Sequence, residues 1–284
     1  MRTIAVKRII QPNNNFNLYR GCTHGCIYCD SRSDCYQVGD FENVAIKQNA
    51  VALVAKELAS KRHKTVLTTG SMSDPYVQIE KELEITKQVL QLIEKYRFGV
   101  SVLTKSDLLL RDIDIYERIN KNHKAIVQMT VTTTDDRLAR IIEPRVSPPS
   151  RRFAVLREFS ARGITTGIWM TPILPFIEDT EANILAIVEN ARAAGVAFII
   201  AFGIGTTMRA GSREHYYDHL DRLFPGVKQR YIDTYGDKYI CNSPDSKRLL
   251  EVFRTACDRL GIIHDQQTIR DLFKMRAPEQ MTLF

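Results

Sequence analysis

Short apolar runs alternate along the chain with longer segments whose apolar residues recur every three or four positions. Residues 65–69, 100–104, 125–132, 165–173 and 198–203 are rich in β-branched or apolar side chains and end in Gly, Pro, Ser or Thr, which predicts strands bounded by turns. Between them, residues 48–61 align Val51, Val54 and Leu58, and residues 80–96 align Leu83, Val89, Leu90 and Ile93. Residues 150–162 do the same with Phe153, Leu156 and Phe159, and residues 181–194 with Ile184, Leu185, Val188 and Ala191. These four segments predict amphipathic helices. Gly163 and Gly195 follow the last two, where a helix C-terminus favours glycine. Strand–helix alternation of this kind predicts an α/β fold of parallel units. A short further strand before residue 22 brings the number to about six, too few for the eight of a closed barrel. Past residue 205 the alternation gives way to four helical segments, at 213–224, 225–235, 246–260 and 267–274. The expected division is a barrel over 1–204, a C-terminal helical extension over 205–276 and a mobile tail over 277–284.

Strands of a β/α barrel present their chemistry at their C-terminal ends. Here those ends carry Gly70-Ser71-Met72-Ser73-Asp74, Thr104-Lys105-Ser106, Thr130-Val131-Thr132-Thr133 and Thr171-Pro172. One such cluster is an ordinary turn with a helix cap; four in succession on one rim point to a site.

Composition narrows the class. Hydrophobic residues at 44% and charged residues at 26% describe a folded chain with a sizeable core and exclude extensive disorder. The longest nearly apolar stretch, residues 196–204, is nine residues, against roughly 20 for a bilayer span. The start lacks a signal-peptide pattern, so a cytoplasmic protein is expected. The net charge of +7 is spread, with 22 Lys+Arg against 17 Asp+Glu in residues 1–150. A modest cluster at Arg137, Arg140, Arg145, Arg151 and Arg152 is placed to contact phosphates, or else forms a solvated basic face.

Six cysteines stand at 22, 26, 29, 35, 241 and 257, and three of them fall within eight residues, Cys22-Thr-His-Gly-Cys26-Ile-Tyr-Cys29. Such a loop wraps three thiolates around one soft metal centre. A structural zinc site would need a fourth ligand, from Cys35 or His24. A [4Fe–4S] cluster would instead keep one iron free of protein.

The C-x3-C-x2-C spacing with an aromatic before the third cysteine resembles the cluster loop of the radical S-adenosylmethionine (SAM) superfamily. That resemblance implies a partial (β/α)6 TIM-type barrel. It also implies that SAM chelates the open iron and is cleaved reductively to a 5′-deoxyadenosyl radical that abstracts hydrogen from a substrate. More of the chain resembles the spore photoproduct lyase-like, DNA repair photolyase-related branch: Asn17 to Cys29, Ser73-Asp74-Pro75-Tyr76 with Glu80, Thr104-Lys105-Ser106 with Arg111-Asp112, Glu143-Pro144 with Pro149 and Arg152, Phe224-Pro225-Gly226, and Tyr231 with Tyr235-Gly236. Carried over position by position, Cys22, Cys26 and Cys29 hold the cluster. Gly70 and Ser71 end the strand that meets the SAM amino group, and Lys105 pairs with its carboxylate. Thr130 and Thr132 meet the ribose or carboxylate, and Tyr28 packs on adenine. The branch also implies an electron donor and a nucleic-acid substrate.

Two positions depart from the spore enzyme. Ser71 stands where that enzyme has a hydrogen-donating cysteine, and Asp30 where it has a tyrosine, so no catalytic hydrogen donor is assigned; Cys35 and Cys241 could replace it but read rather as a structural cysteine or a loop thiol. The alternative from another class is a metal-stabilised binding module without turnover. Finally, Gln280-Met281-Thr282-Leu283-Phe284 resembles the peptide with which bacterial repair proteins dock on the β sliding clamp, with Leu283 and Phe284 as anchors.

Overall fold

The computed structural model describes residues 2–275, so the clamp-like segment Gln280 to Phe284 lies outside the described residues. The chain begins with three short strands, β1 (Arg2–Ile4), β2 (Tyr19–Arg20) and β3 (Ala45–Lys47), which form a small sheet in the order β1-β3-β2. There follow α1 (Ala50–Ser60), β4 (Val66–Thr69), α2 (Glu80–Leu83), α3 (Ile85–Lys95), β5 (Gly99–Thr104), α4 (Ile113–Asn122), β6 (Ala125–Thr130), α5 (Asp136–Ile142), α6 (Pro149–Ala161), β7 (Thr165–Trp169), α7 (Glu181–Ala193) and β8 (Phe198–Ile200). The C-terminal part holds β9 (Gly205–Thr207), α8 (Ser212–Leu223), α9 (Val227–Tyr235), β10 (Ile240–Asn242), α10 (Ser246–Leu260) and α11 (Gln266–Leu272).

Strands β4 to β8 pair in sequence order, all parallel. The central β6 is buried at every position, as befits a strand covered on both faces. Its neighbours pack with Leu58, Leu90, Tyr116, Phe159 and Ile187 of the surrounding helices into one core. Gly163 and Gly195 stand just past the C-termini of α6 and α7 with φ of 69° and 70°, as their positions predict.

The sixth strand, expected before residue 22, is reduced to one parallel bridge between Asn15 and Thr68. Phe16 N–H donates to Thr68 O at 2.8 Å and Thr68 N–H to Asn14 O at 3.0 Å. Pro12 offers no donor and Asn14 turns at φ 64°, so the segment cannot extend the ladder. The partial barrel is therefore five full strands and a one-residue edge.

Three other expectations shift. The helix predicted over 80–96 breaks at Glu84 (φ 49°) because the buried Glu80 carboxylate accepts the backbone N–H of Thr86 at 3.0 Å. Strand β7 ends at Trp169 instead of running to 173. The extension is not wholly helical: β9 and β10 form an antiparallel pair, and Ile263 adds to β8, with Ile199 N–H donating to Ile263 O at 2.9 Å. Helix α10 shares the barrel's core through Leu249, Phe253 and Ala256. Among the described residues no helix is long and apolar enough to cross a membrane.

Candidate cofactor-binding site

The C-terminal ends of β4 to β8 open into a cavity of about 680 Å3. Each strand contributes to its wall, through Thr69 and Gly70, Thr104 and Lys105, Thr130, Trp169, and Phe202 beyond β8. Tyr28, Cys29 and Asp30 of the cysteine loop close one side, and Ser71 another. The rim expected from the strand-end clusters is thus the wall of one cavity, of a size usual for a cofactor.

Gly70 fits its place because it has no side chain. It sits at φ 101°, and a Cβ there would lie 1.9 Å from the carbonyl oxygen of Leu103. Beside it, the Thr69 hydroxyl is buried without a hydrogen-bond partner. An orphaned hydroxyl at a strand end is what a polar ligand would satisfy. Ser71 Oγ donates to Asn15 Oδ1 at 3.3 Å and is otherwise exposed to the cavity.

The cysteine loop is fixed by its backbone. Cys22 N–H donates to Phe41 O at 2.9 Å, Ile27 N–H to Ile142 O at 3.0 Å, and Arg145 N–H to His24 O at 3.2 Å. All three thiols are free. Burial pushes the Cys22 thiol well above its ordinary range, and Asp74 adds to the effect. Burial pushes Cys26 up to about 12, against the pull of Lys105. Lys105 stays charged: burial opposes its ammonium, but Cys26 and Glu143 more than offset that and raise its pKa. Its Nζ lies 5.7 Å from the centroid of the Tyr28 ring.

Two carboxylates organise this wall. Asp74 accepts from Thr104 Oγ1 at 2.7 Å, Lys105 N at 2.9 Å and Tyr76 N at 2.8 Å, and lies 3.4 Å from His24 Nδ1. It therefore ties the end of β5 to the cysteine loop. Glu143, buried, accepts from the Tyr28 hydroxyl and from Arg152. Burial works against its charge, but Arg152 and Lys105 hold its carboxyl below the usual range.

The arginine cluster is corrected by this geometry. Arg152 has no exposed side-chain surface and donates to Thr130 O at 2.8 Å and Ser147 O at 2.7 Å, so it cannot reach a phosphate. Arg145 and Arg151 pair with Glu42 and Asp107 at 2.6 and 2.8 Å. The reason is local: a buried carboxylate at Glu143 requires a buried cation. Thr132 is not brought to the cavity either; it is buried beside Glu178, whose carboxyl burial pushes well up. Cys241 is buried in the core of the extension, whereas Cys35 is exposed and accepts from Arg209 at 3.5 Å.

Among the described residues, no three His, Cys, Asp or Glu side chains gather closely enough for a single metal ion. The zinc arrangement needs ligands within bonding distance, roughly 2 Å, of one point, which these side chains do not provide. Three thiols that each bind a separate iron of a cluster carry no such requirement. The donor set, the charged Lys105 and the unpaired Thr69 hydroxyl fit an iron–sulfur cluster with a polar ligand beside it.

The sequence model of the Radical SAM superfamily matches residues 16–191. An uncharacterized protein of Mycobacterium tuberculosis is 28% identical over 227 residues, 77% of this chain and 66% of the relative. One of Methanocaldococcus jannaschii is 33% identical over 168 residues, 58% of this chain and 62% of the relative. The chain thus spans just under two thirds of the length of these relatives. Among solved structures, a spore photoproduct lyase variant with bound AdoMet and dinucleoside spore photoproduct superposes with a TM-score of 0.66 at 17% identity, over 90% of this chain and 78% of that one. This likeness is one of fold.

Proposed function

The chain belongs to the radical SAM superfamily, and from that premise we propose that it is an enzyme that binds a [4Fe–4S] cluster and SAM and abstracts hydrogen from a nucleic-acid substrate. When bound, the cluster and SAM supply a one-electron cleavage to methionine and a hydrogen-abstracting 5′-deoxyadenosyl radical. The observation that carries the reading is that Cys29 of the three-thiol loop, Tyr28, Gly70 and Lys105 line one cavity, with the buried Cys26 near enough to Lys105 to act on its charge. Cys22, Cys26 and Cys29 hold the cluster. Lys105, charged and aimed past Tyr28, takes the SAM carboxylate as a compact point charge. The Thr69 hydroxyl and the Gly70–Ser71 backbone take the amino group, Tyr28 offers its ring to adenine, and Thr130 faces the ribose. Glu143 and Arg152 hold Tyr28 and the carbonyl of Thr130 in place from behind. The substrate class is supported by the aromatic mouth of the cavity, where Trp169 and the exposed Phe202 meet edge to face at 5.5 Å and offer a stacking surface for a base. Anaerobic reconstitution should give about four irons per chain, and dithionite with SAM should yield 5′-deoxyadenosine. Bound cofactors with no 5′-deoxyadenosine would return the protein to the binding-module reading. A colourless protein with one tightly held zinc would overturn both the cluster and the chemistry.

A further inference from the structure

Helix α5 lies on the cysteine loop by one face only. Leu138 and Ile142 pack with Cys26, Ile27 and Tyr28, and Ile142 O accepts the backbone N–H of Ile27 at 3.0 Å. The other face carries Arg137, Arg140 and Ile141, spaced three and four apart and therefore side by side. All three are exposed, Ile141 to 42%. Neither arginine forms an ion pair among the described residues, although Arg140 acts on Asp136, which is itself held by Ser150. Arg145, at the next turn of chain, is also exposed and shares Glu42 with Arg32.

We propose that this outer face of α5 is the docking surface for an acidic one-electron carrier protein that reduces the cluster. The proposal rests on the function argued above. Its chemistry is complementary: two unpaired guanidinium groups flank an exposed apolar side chain, the rim and centre of a small protein interface. Its position is apt as well. Only the thickness of one helix, about 10 Å, separates the face from the loop that holds the cluster. The face is also apart from the cavity, since Arg137, Arg140 and Ile141 take no part in its lining, so a carrier bound there leaves the substrate entrance open. A nucleic acid held on these arginines would lie outside the cavity where its hydrogen must be abstracted, which favours the carrier.

The test measures 5′-deoxyadenosine formation by the reconstituted full chain with two reductants: dithionite, and an acidic flavodoxin kept reduced by its reductase. In the Arg137→Glu/Arg140→Glu variant, the flavodoxin-driven rate should fall about ten-fold at low salt and the deficit should shrink as salt rises, because rim charges act on the encounter rate. The dithionite-driven rate should be unchanged. The milder Arg137→Gln/Arg140→Gln variant should fall in between, and Arg254→Glu, an exposed reversal on α10, should match the wild type. Equal flavodoxin-driven rates in wild type and double variants would overturn the docking surface while the proposed function stands. So would a loss of oligonucleotide binding in the variants with unchanged carrier kinetics, or an equal loss with dithionite in both double variants. Absence of 5′-deoxyadenosine from the wild type with dithionite would instead overturn the function itself.

Discussion

Replacing Glu143 by Gln should cost far more than a surface carboxylate would. The side chains of Arg152 and Glu143 are 0% and 1% exposed, so water cannot take over the charge that Glu143 gives up. Arg152 would keep its bonds to Thr130 O and Ser147 O, but its positive charge would be buried without a counterion. Breaking such a pair from one side typically costs about 3–5 kcal/mol. For a chain of this size that is a fall in Tm of about 10 °C. The Glu143→Leu/Arg152→Met variant removes the unpaired charge but also takes partners from the Tyr28 hydroxyl and the Thr130 and Ser147 carbonyls, so it should recover only part of the loss. The pH dependence has a fixed sign. Because the folded-state pKa of Glu143 is held down, its contribution is present above the ordinary carboxylate range, about 4.3, and is lost as pH falls through the lower folded value. The difference between wild type and Glu143→Gln should therefore be flat from pH 8 to pH 5 and shrink under strong acid. Anaerobic urea and thermal denaturation would measure both effects. A loss under about 1 kcal/mol would show that Arg152 does not depend on the Glu143 charge.

Gly70→Ala should destabilise the protein by about 2–4 kcal/mol, seen in the same denaturation assay, since its Cβ would meet Leu103 O at 1.9 Å at a φ of 101°; an unchanged midpoint would show that β4 and β5 part freely. Lys105→Ala should weaken SAM binding by about 10–100-fold, the worth of one charge-assisted hydrogen bond, with iron content unchanged by elemental analysis. His215 is held neutral, its pKa lowered to about 4 by burial and by Arg32, so the unfolded chain takes up a proton first as pH falls. Stability should thus drop between pH 6.5 and 4 by about 1–2 kcal/mol, since water screens the half-buried ring, and His215→Leu should flatten that window.

What the sequence made legible was whatever local spacing determines. The helix faces, Gly163 and Gly195, and the polar ends of the strands all depend on neighbours within a few residues, and the structure uses them as the spacing implies. What it hid are contacts between distant parts of the chain. Glu143 and Arg152 stand out as a motif, yet their role needs Tyr28, 115 residues away from Glu143, to supply the third member of the network. Arginine spacing could not separate the buried Arg152 from the exposed Arg137 and Arg140, because helix α6 turns the first inward. The organising part of Asp74 was equally hidden, although its place in Ser73-Asp74-Pro75-Tyr76 was noticeable: a carboxylate before Pro reads as a turn until Thr104 and Lys105 are seen to close on it. Thr132 shows the reverse error. Two residues past Thr130 it shares the strand's alternation, but β6 ends at Thr130 and the alternation no longer governs where the side chain goes.

The proposed function requires three thiolates that would leave one iron open to SAM beside Lys105 and Gly70. Electron paramagnetic resonance of the dithionite-reduced, reconstituted protein, recorded before and after addition of SAM, tests that arrangement most directly. A reduced-cluster signal should appear whose g-values shift when SAM is added, with the signal lost in Cys26→Ala and the shift requiring much more SAM in Lys105→Ala. A reduced-cluster spectrum identical with and without saturating SAM would contradict that arrangement.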